Sequence, residues 1–171
     1  MRITLGVAFD ERLFPTLLNV LARQNYRIHF EQRLPMLYRA GIRYQREDEE
    51  LWLDVINTYA QGHEDCDGLS ACRAGEIMAY GWRALDPEYL APTDLVLKQH
   101  MATRSTGRFL RTGFADAKRL GLRRIPAEVF LSTRTEPGQG GLFHCLVRYR
   151  VNGRWFEDDP SARLGMYDRS S

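Results

Sequence analysis

Residues 62–76 read GHEDCDGLSACRAGE and set one thiol, Cys66, between Glu64, Asp65 and Asp67 and a run of small residues. The pattern places Cys66 at, or just before, the start of a helix. Free N–H groups and the helix dipole favour a thiolate there. An imidazole beside it would hold the sulfur ionised near neutral pH, which is how a cysteine becomes a nucleophile. The flanking carboxylates oppose ionisation unless they turn away, and Asp65 or Asp67 has a natural alternative use as the helix N-cap. Two other readings stand beside the nucleophile. A cysteine is often a small buried hydrophobe. It is also a metal ligand, and His63, Cys66, His144 and Cys145 together offer four zinc donors. Against that set, His144 and Cys145 are adjacent on a predicted strand and point to opposite faces, and the spacing fits no regular zinc pattern. No metal or cofactor is therefore expected. Cys72 reads as core, and His29 and His100 as surface or core residues.

The C-terminal third supplies a histidine with a partner. LFHCLVRYRV-NG-RWFEDD reads as a hairpin around Asn152 and Gly153, because Asn-Gly between extended runs favours a two-residue turn. In that register Val151 faces Arg154, Arg150 faces Trp155 and Leu146 faces Asp159. His144 and Asp159 then share a face as diagonal neighbours, about 7–8 Å apart along the backbone and within side-chain reach. Asp158 and Cys145 fall on the other side, and a bulge would bring in Asp158 instead of Asp159. The Cys145 face also carries Val147, Tyr149, Val151 and Phe156. The His144 face carries Leu146 and Trp155, but also Arg148 and Arg150. The sheet is thus expected to be covered on both sides near His144, with the arginine end projecting beyond the cover.

The elements that must hold these residues follow from periodicity. Residues 2–8 suggest a short strand. Residues 11–25, with Leu13, Leu17, Leu18 and Leu21, suggest a helix carrying Pro15 in its first turn. Residues 34–47 read as a helical turn, a stop at Gly41 and an extended piece. Residues 49–60 show a helical face of Leu51, Trp52, Val55, Ile56 and Tyr59. A helix over 67–83 is thin at Ser70, Ala71, Ala74 and Gly75, so it can lie close to a neighbour. Residues 86–114 are loop-like, with a short helix near 94–102, and either cover the thiol or are an insertion. Residues 115–121 look helical with Gly121 as the stop, 127–135 form a strand and 136–141 a loop. Helices first and sheet after makes the class α+β.

The chain has 171 residues and a net charge of +2, enough for one core and without charge bias toward a polyanion. Residues 47–67 hold eight acids and no Lys or Arg, whereas 98–124 are strongly basic. The aromatics do not interleave with the basic residues, so no nucleic-acid module is expected. No run reaches the roughly 18 apolar residues of a membrane span, and the first residues are too polar after Val7 for a signal peptide. Three cysteines make no disulfide framework. The expected location is the cytoplasm, or a virion assembled there.

Three stretches in order, LYRAGIRYQRE, HEDCDGLSACRAGEI and GRWFEDDPSARLGM, with LFHCLVRY before the last, resemble the transglutaminase-like superfamily and its papain-type catalytic arrangement. The set is most similar to small bacterial and phage members carrying LYxxGVRYxRE, GDCEDLAAWRAAEL and EDPSRxLGM. Glu64 stands where those have Gly, and Gly68 where they have a second acid. The resemblance covers residues 35–167 and implies a transglutaminase-like domain over 35–171, with N-terminal helices packed on a C-terminal antiparallel sheet and residues 1–34 as an extension packed on it. It implies Cys66 as nucleophile, His144 as general base and acid, and Asp159 as the group orienting the imidazole. The reaction implied is acyl transfer on an amide bond of a peptide or protein, by a cysteine protease or amidase. The Cys66 N–H would be one oxyanion donor, with Gln61 or Trp52 as candidates for the second. The same fold without turnover would make a structural or adaptor protein of a phage or tail-like particle, with residues 1–34 and 98–124 as contact surfaces.

Overall fold

The computed structural model describes residues 2–4, 13–46, 51–86, 114–132 and 144–166. The apolar spacing that begins at Leu13 continues through buried Ala22, Asn25, Ile28 and His29, so the first helix, α1, spans Phe14–Gln32 and not 11–25. Pro15 lies in its first turn, and Arg33 ends it in the left-handed region at φ 51°. The central helix, α3, spans Cys66–Tyr80 and is capped by Asp65, whose side chain accepts from the Asp67 N–H. Its small residues let α1 approach. A Cβ on Gly75 would stand 2.7 Å from the Asn25 Cβ and 2.9 Å from the Ala22 carbonyl oxygen. Asn25 uses the proximity, accepting from the Val55 N–H at 2.8 Å.

The single helix expected over 49–60 is two elements. Residues Leu51–Leu53 form a strand, β3, antiparallel to β1 (Arg2–Thr4), with Trp52 opposite Ile3. Helix α2 begins only at Val55 and runs to Gln61. Asp54 makes the break: it is the N-cap, and its carboxylate accepts from the Asn57 N–H at 3.1 Å. The 3.6-residue spacing of Leu51, Trp52, Val55 and Ile56 holds equally for a short strand turning into a helix. Beyond Gly62, a strand His63–Glu64 (β4) pairs in parallel with Arg43–Tyr44 (β2) and leads into Cys66. Leu37–Arg39 is a turn of 3-10 helix, and another, Gly81–Leu85, follows α3. Helix α4 covers 114–119.

The last part is a three-stranded antiparallel sheet in the order β5 (Ala127–Ser132), β6 (His144–Val151), β7 (Arg154–Asp158). Every pair in the β6–β7 ladder, from Val151↔Arg154 to Val147↔Asp158, keeps the register that a two-residue turn requires. Asn152 and Gly153 both have positive φ, 48° and 77°, the turn that matches strand twist. No bulge lies in this ladder, so Asp159 stays on the His144 side. Cys145, Val147, Tyr149, Val151 and Phe156 are buried in one core with Leu18, Leu21, Ala71, Ala74 and Ile77. On the opposite face His144 and Leu146 are buried while Arg148, Arg150 and Trp155 are exposed, so the cover ends where the arginines begin. Asn19 ties α1 to the outer strand, accepting from the Val129 N–H and donating to its carbonyl, each at 2.9 Å. The fold is α+β, helices followed by a sheet, with the helix Pro160–Arg163 (α5) closing the described chain.

Among the described residues no helix is long and apolar enough to cross a membrane. The readings of 5–12, 47–50, 87–113, 133–143 and 167–171, with His100 and the basic residues from Lys98 to Arg111, lie outside the described residues.

Candidate active site

The ends of two elements meet at the site: the N-terminus of α3, which carries Cys66, and the start of β6, which carries His144. The Ser70 hydroxyl, one turn along α3, donates to the Cys145 carbonyl at 3.0 Å and pins one end to the other. His144 is buried, and its Nε2–H donates to Asp159 Oδ2 at 2.9 Å. The other Asp159 oxygen caps α5, accepting from the Ala162 N–H at 3.0 Å. With both oxygens held, the carboxylate fixes the ring's orientation and tautomer. His144 Nδ1 is buried and has no hydrogen-bond partner, so in the neutral ring its lone pair is the open basic site.

Cys66 is half-buried at the first position of α3. Its thiol contacts the Cys145 thiol and the His144 imidazole. The neighbouring Cys145 thiol, then His144 and the Cys145 backbone N–H, lower the Cys66 pKa to about 6, against burial and the Asp65 charge. For His144, burial opposes the cation, but the hydrogen bond to Asp159, the neighbouring Cys66 sulfur and the charges of both outweigh it and raise its pKa to about 10. Between these values the site holds a thiolate beside an imidazolium. Cys72, fully buried six residues on, is pushed well up by burial and is a core residue.

The acids around Cys66 are engaged locally. Asp65 accepts from the Asp67 N–H at 3.3 Å, and Asp67 accepts from the Gly68 N–H at 2.7 Å. Glu64, fully buried, accepts from the Asp65 N–H at 3.2 Å and from the Thr58 hydroxyl at 3.3 Å. These caps leave the Cys66 N–H uncommitted, so it remains available as an anion donor.

Neither candidate for a second donor is poised for it. The Trp52 indole N–H is buried and donates to Asp67 Oδ2 at 2.6 Å, so the ring braces the helix entrance. Gln61 is exposed, and its amide nitrogen lies 3.1 Å from His63 Nδ1. The four groups weighed as zinc ligands do not converge. Among the described residues, only Glu64, Asp65 and Asp67 form a set of three or more His, Cys, Asp or Glu side chains with mutually close donor atoms.

Two features escape sequence reasoning. The first is Cys145: the strand alternation places it opposite His144, but Cys66 approaches the strand end and touches both. The second is a buried ionic cluster behind the site. Arg73 on α3 pairs with Asp158 at 2.7 Å and with Glu76, and donates to the Ala84 carbonyl at 2.9 Å. Arg163 reaches the other Asp158 oxygen at 2.7 Å, and the Tyr38 hydroxyl donates to Asp158 at 3.0 Å. Burial disfavours the Asp158 anion, but Arg163 and Arg73 overcome it and lower its pKa. His29 is also buried, with neither ring nitrogen hydrogen-bonded, and burial lowers its pKa to about 4; it is an uncharged core residue.

Compared with family models, curated proteins and solved structures, the chain matches none.

Proposed function

We propose that this chain is a thiol-dependent acyl-transfer enzyme of the transglutaminase-like type, acting on amide bonds of peptides or proteins as a cysteine protease or amidase. One observation carries the reading: an imidazole clamped by a carboxylate through Nε2, with its Nδ1 buried and unpartnered, lies beside a half-buried cysteine at a helix N-terminus. The motif order and the α+β layout, helices followed by an antiparallel sheet, support the same reading.

The steps follow from the groups in place. The Cys66 thiolate attacks the amide carbonyl carbon, and the carbonyl oxygen becomes an oxyanion beside the Cys66 N–H and the α3 terminus. His144, already protonated, gives its proton to the leaving nitrogen, and the C–N bond breaks to leave a thioester. The neutral imidazole then takes a proton from water, which attacks the thioester and releases the acid and the Cys66 thiolate. An amine in place of water would yield a crosslink. Asp159 holds the ring throughout and offsets its charge.

The test is stoichiometric labelling of the native chain with iodoacetamide, mapped by mass spectrometry, beside hydrolysis of a peptide mixture. Cys66 should be the labelled residue, and Cys66→Ala should keep the fold while abolishing both signals. Labelling at Cys72 or Cys145 with none at Cys66 would overturn the enzyme reading. So would a Cys66→Ala chain that retains the full biological role, the behaviour expected of a non-catalytic phage or tail-particle component.

A further inference from the structure

Cys145 has no part in the acyl-transfer steps, yet its thiol lies against the nucleophile. Both residues are held. Cys66 begins α3 and packs against the core cluster that contains Cys145. Cys145 is fixed on β6 opposite Leu131, and its carbonyl is bound by Ser70. Cys66 stands one turn before Ser70 on the same face of α3, so the Ser70–Cys145 bond holds the Cys66 end of the helix at the Cys145 end of the strand. The two cysteines differ in access: Cys66 is half-buried, whereas Cys145 is 1% exposed.

From this contact we infer that Cys66 and Cys145 form a reversible disulfide when the protein meets a peroxide, so that oxidation masks the nucleophile and protects it. The masking rests on the thiol chemistry proposed above; the bond itself does not.

The order of events follows from access and charge. The Cys66 thiolate attacks one peroxide oxygen. An S–O bond forms, the O–O bond breaks, and the hydroxide released takes up a proton to become water. Cys66 is now a sulfenic acid. In the reduced protein the Cys145 thiol is held protonated by the neighbouring Cys66 sulfur and its charge and by burial. Sulfenic acid formation removes that charge. The Cys145 sulfur then attacks the Cys66 sulfur, the S–S bond forms, the S–O bond breaks, and the Cys145 proton leaves with the hydroxyl as a second water. Two thiols are oxidised and one peroxide becomes two waters. A dithiol reductant reverses the bond by exchange. Cys72, fully buried and with its thiol raised by burial, stays out of the exchange.

The experiment treats the purified, reduced full chain with hydrogen peroxide, quenches with an alkylating agent under denaturing conditions, and reads intact and digested masses. The expected product is two hydrogens lighter, contains a peptide pair linked through Cys66 and Cys145, and leaves Cys72 alkylated. Dithiothreitol should restore iodoacetamide labelling of native Cys66. In Cys145→Ser the same treatment should add two or three oxygens at Cys66, and labelling should not return. The inference is overturned if wild-type Cys66 gains oxygens while Cys145 remains alkylatable, or if Cys145→Ser recovers labelling as fully as wild type. The wild-type mass measurement decides the matter even if the variant does not fold. It is independent of hydrolysis: a chain that forms the linked pair but cleaves no amide retains this inference and loses the proposed function.

Discussion

Asp158 and Asp159 are consecutive carboxylates with opposite fates. Asp158 ends β7 facing the core, fully buried, between Arg73 and Arg163 and under the Tyr38 hydroxyl. Asp159 lies one residue later on the other side, with its side chain 29% exposed, shared between His144 and the cap of α5. Strand alternation alone separates them. The buried one anchors the hairpin to the central helix, and the half-buried one orients the His144 ring. In a motif read as letters, DD is one feature. In space it divides support from chemistry, and the two halves break differently.

Asp159→Asn should show the larger effect. Asparagine caps a helix about as well as aspartate, so the melting temperature should move little. The amide cannot take up the charge of the imidazolium and does not hold the same tautomer, so kcat for amide hydrolysis should fall by about 10²–10⁴-fold. Asp158→Asn should do the reverse. It leaves Arg73 and Arg163 as buried cations short of a counter-charge, a change that costs about 3–5 kcal/mol in comparable cases. Denaturant midpoints should fall accordingly, while the remaining folded protein keeps its labelling at Cys66. If Asp158→Asn instead abolishes labelling at unchanged stability, the division between anchor and chemistry fails.

A pH profile sharpens the contrast on the reactive side. The Cys66 pKa is about 6, so its alkylation rate should rise as pH increases through that value and then level off. Replacing Cys145 with alanine, or His144 with alanine, removes a neighbour that favours the thiolate, and either change should move the inflection upward. A profile that His144→Ala leaves in place would show that the imidazole does not act on the sulfur. The same shifts act on stability. The lowered Cys66 pKa adds stability that is lost as pH falls through about 6. The raised His144 pKa adds stability that is lost as pH rises through about 10. The Cys66 part is complete only above its ordinary value of 9.0 and the His144 part only below 6.5, so the two trade against each other and their sum is greatest between those values.

How far these arrangements could be read in advance differs by element. The hairpin was open to sequence reasoning because a two-residue turn fixes every facing pair, and the His144–Asp159 contact follows from that register. The thin face of α3 was readable for a similar reason: small residues at helical spacing permit a close neighbour. The strand–cap–helix over 51–61 was not, because its apolar spacing suits one continuous helix and only Asp54 marks the break. Trp52 shows a further limit. It is a candidate oxyanion donor in sequence, but whether its N–H faces a substrate or Asp67 depends on packing that no local spacing encodes. Cys145 was hidden by the alternation rule itself, which holds along a strand but says nothing of a helix arriving at the strand's end. The Arg73 cluster depends on five segments converging, and none of them signals the others.

The smallest effect concerns the turn into α3, where the chain departs from the motif it resembles. Position 64 carries Glu in place of Gly, and position 68 carries Gly in place of an acid. A Cβ on Gly68 would stand 2.9 Å from Glu64 Oε1 and closer still to its Cγ and Cδ. The two departures therefore concern one volume: the Glu64 side chain fills the space that a side chain at position 68 would enter. The buried carboxylate cannot swing aside cheaply, because it accepts from the Asp65 N–H and the Thr58 hydroxyl. Gly68→Asp alone should cost about 1–3 kcal/mol through overpacking. Glu64→Gly alone should cost about 1–3 kcal/mol through the buried donors it leaves unpaired. Made together, they move the carboxylate from the strand to the helix and should recover most of both losses, a coupling of about 0.5–3 kcal/mol in a double-mutant cycle. Strictly additive losses would mean that the positions are independent and that the two departures do not compensate each other.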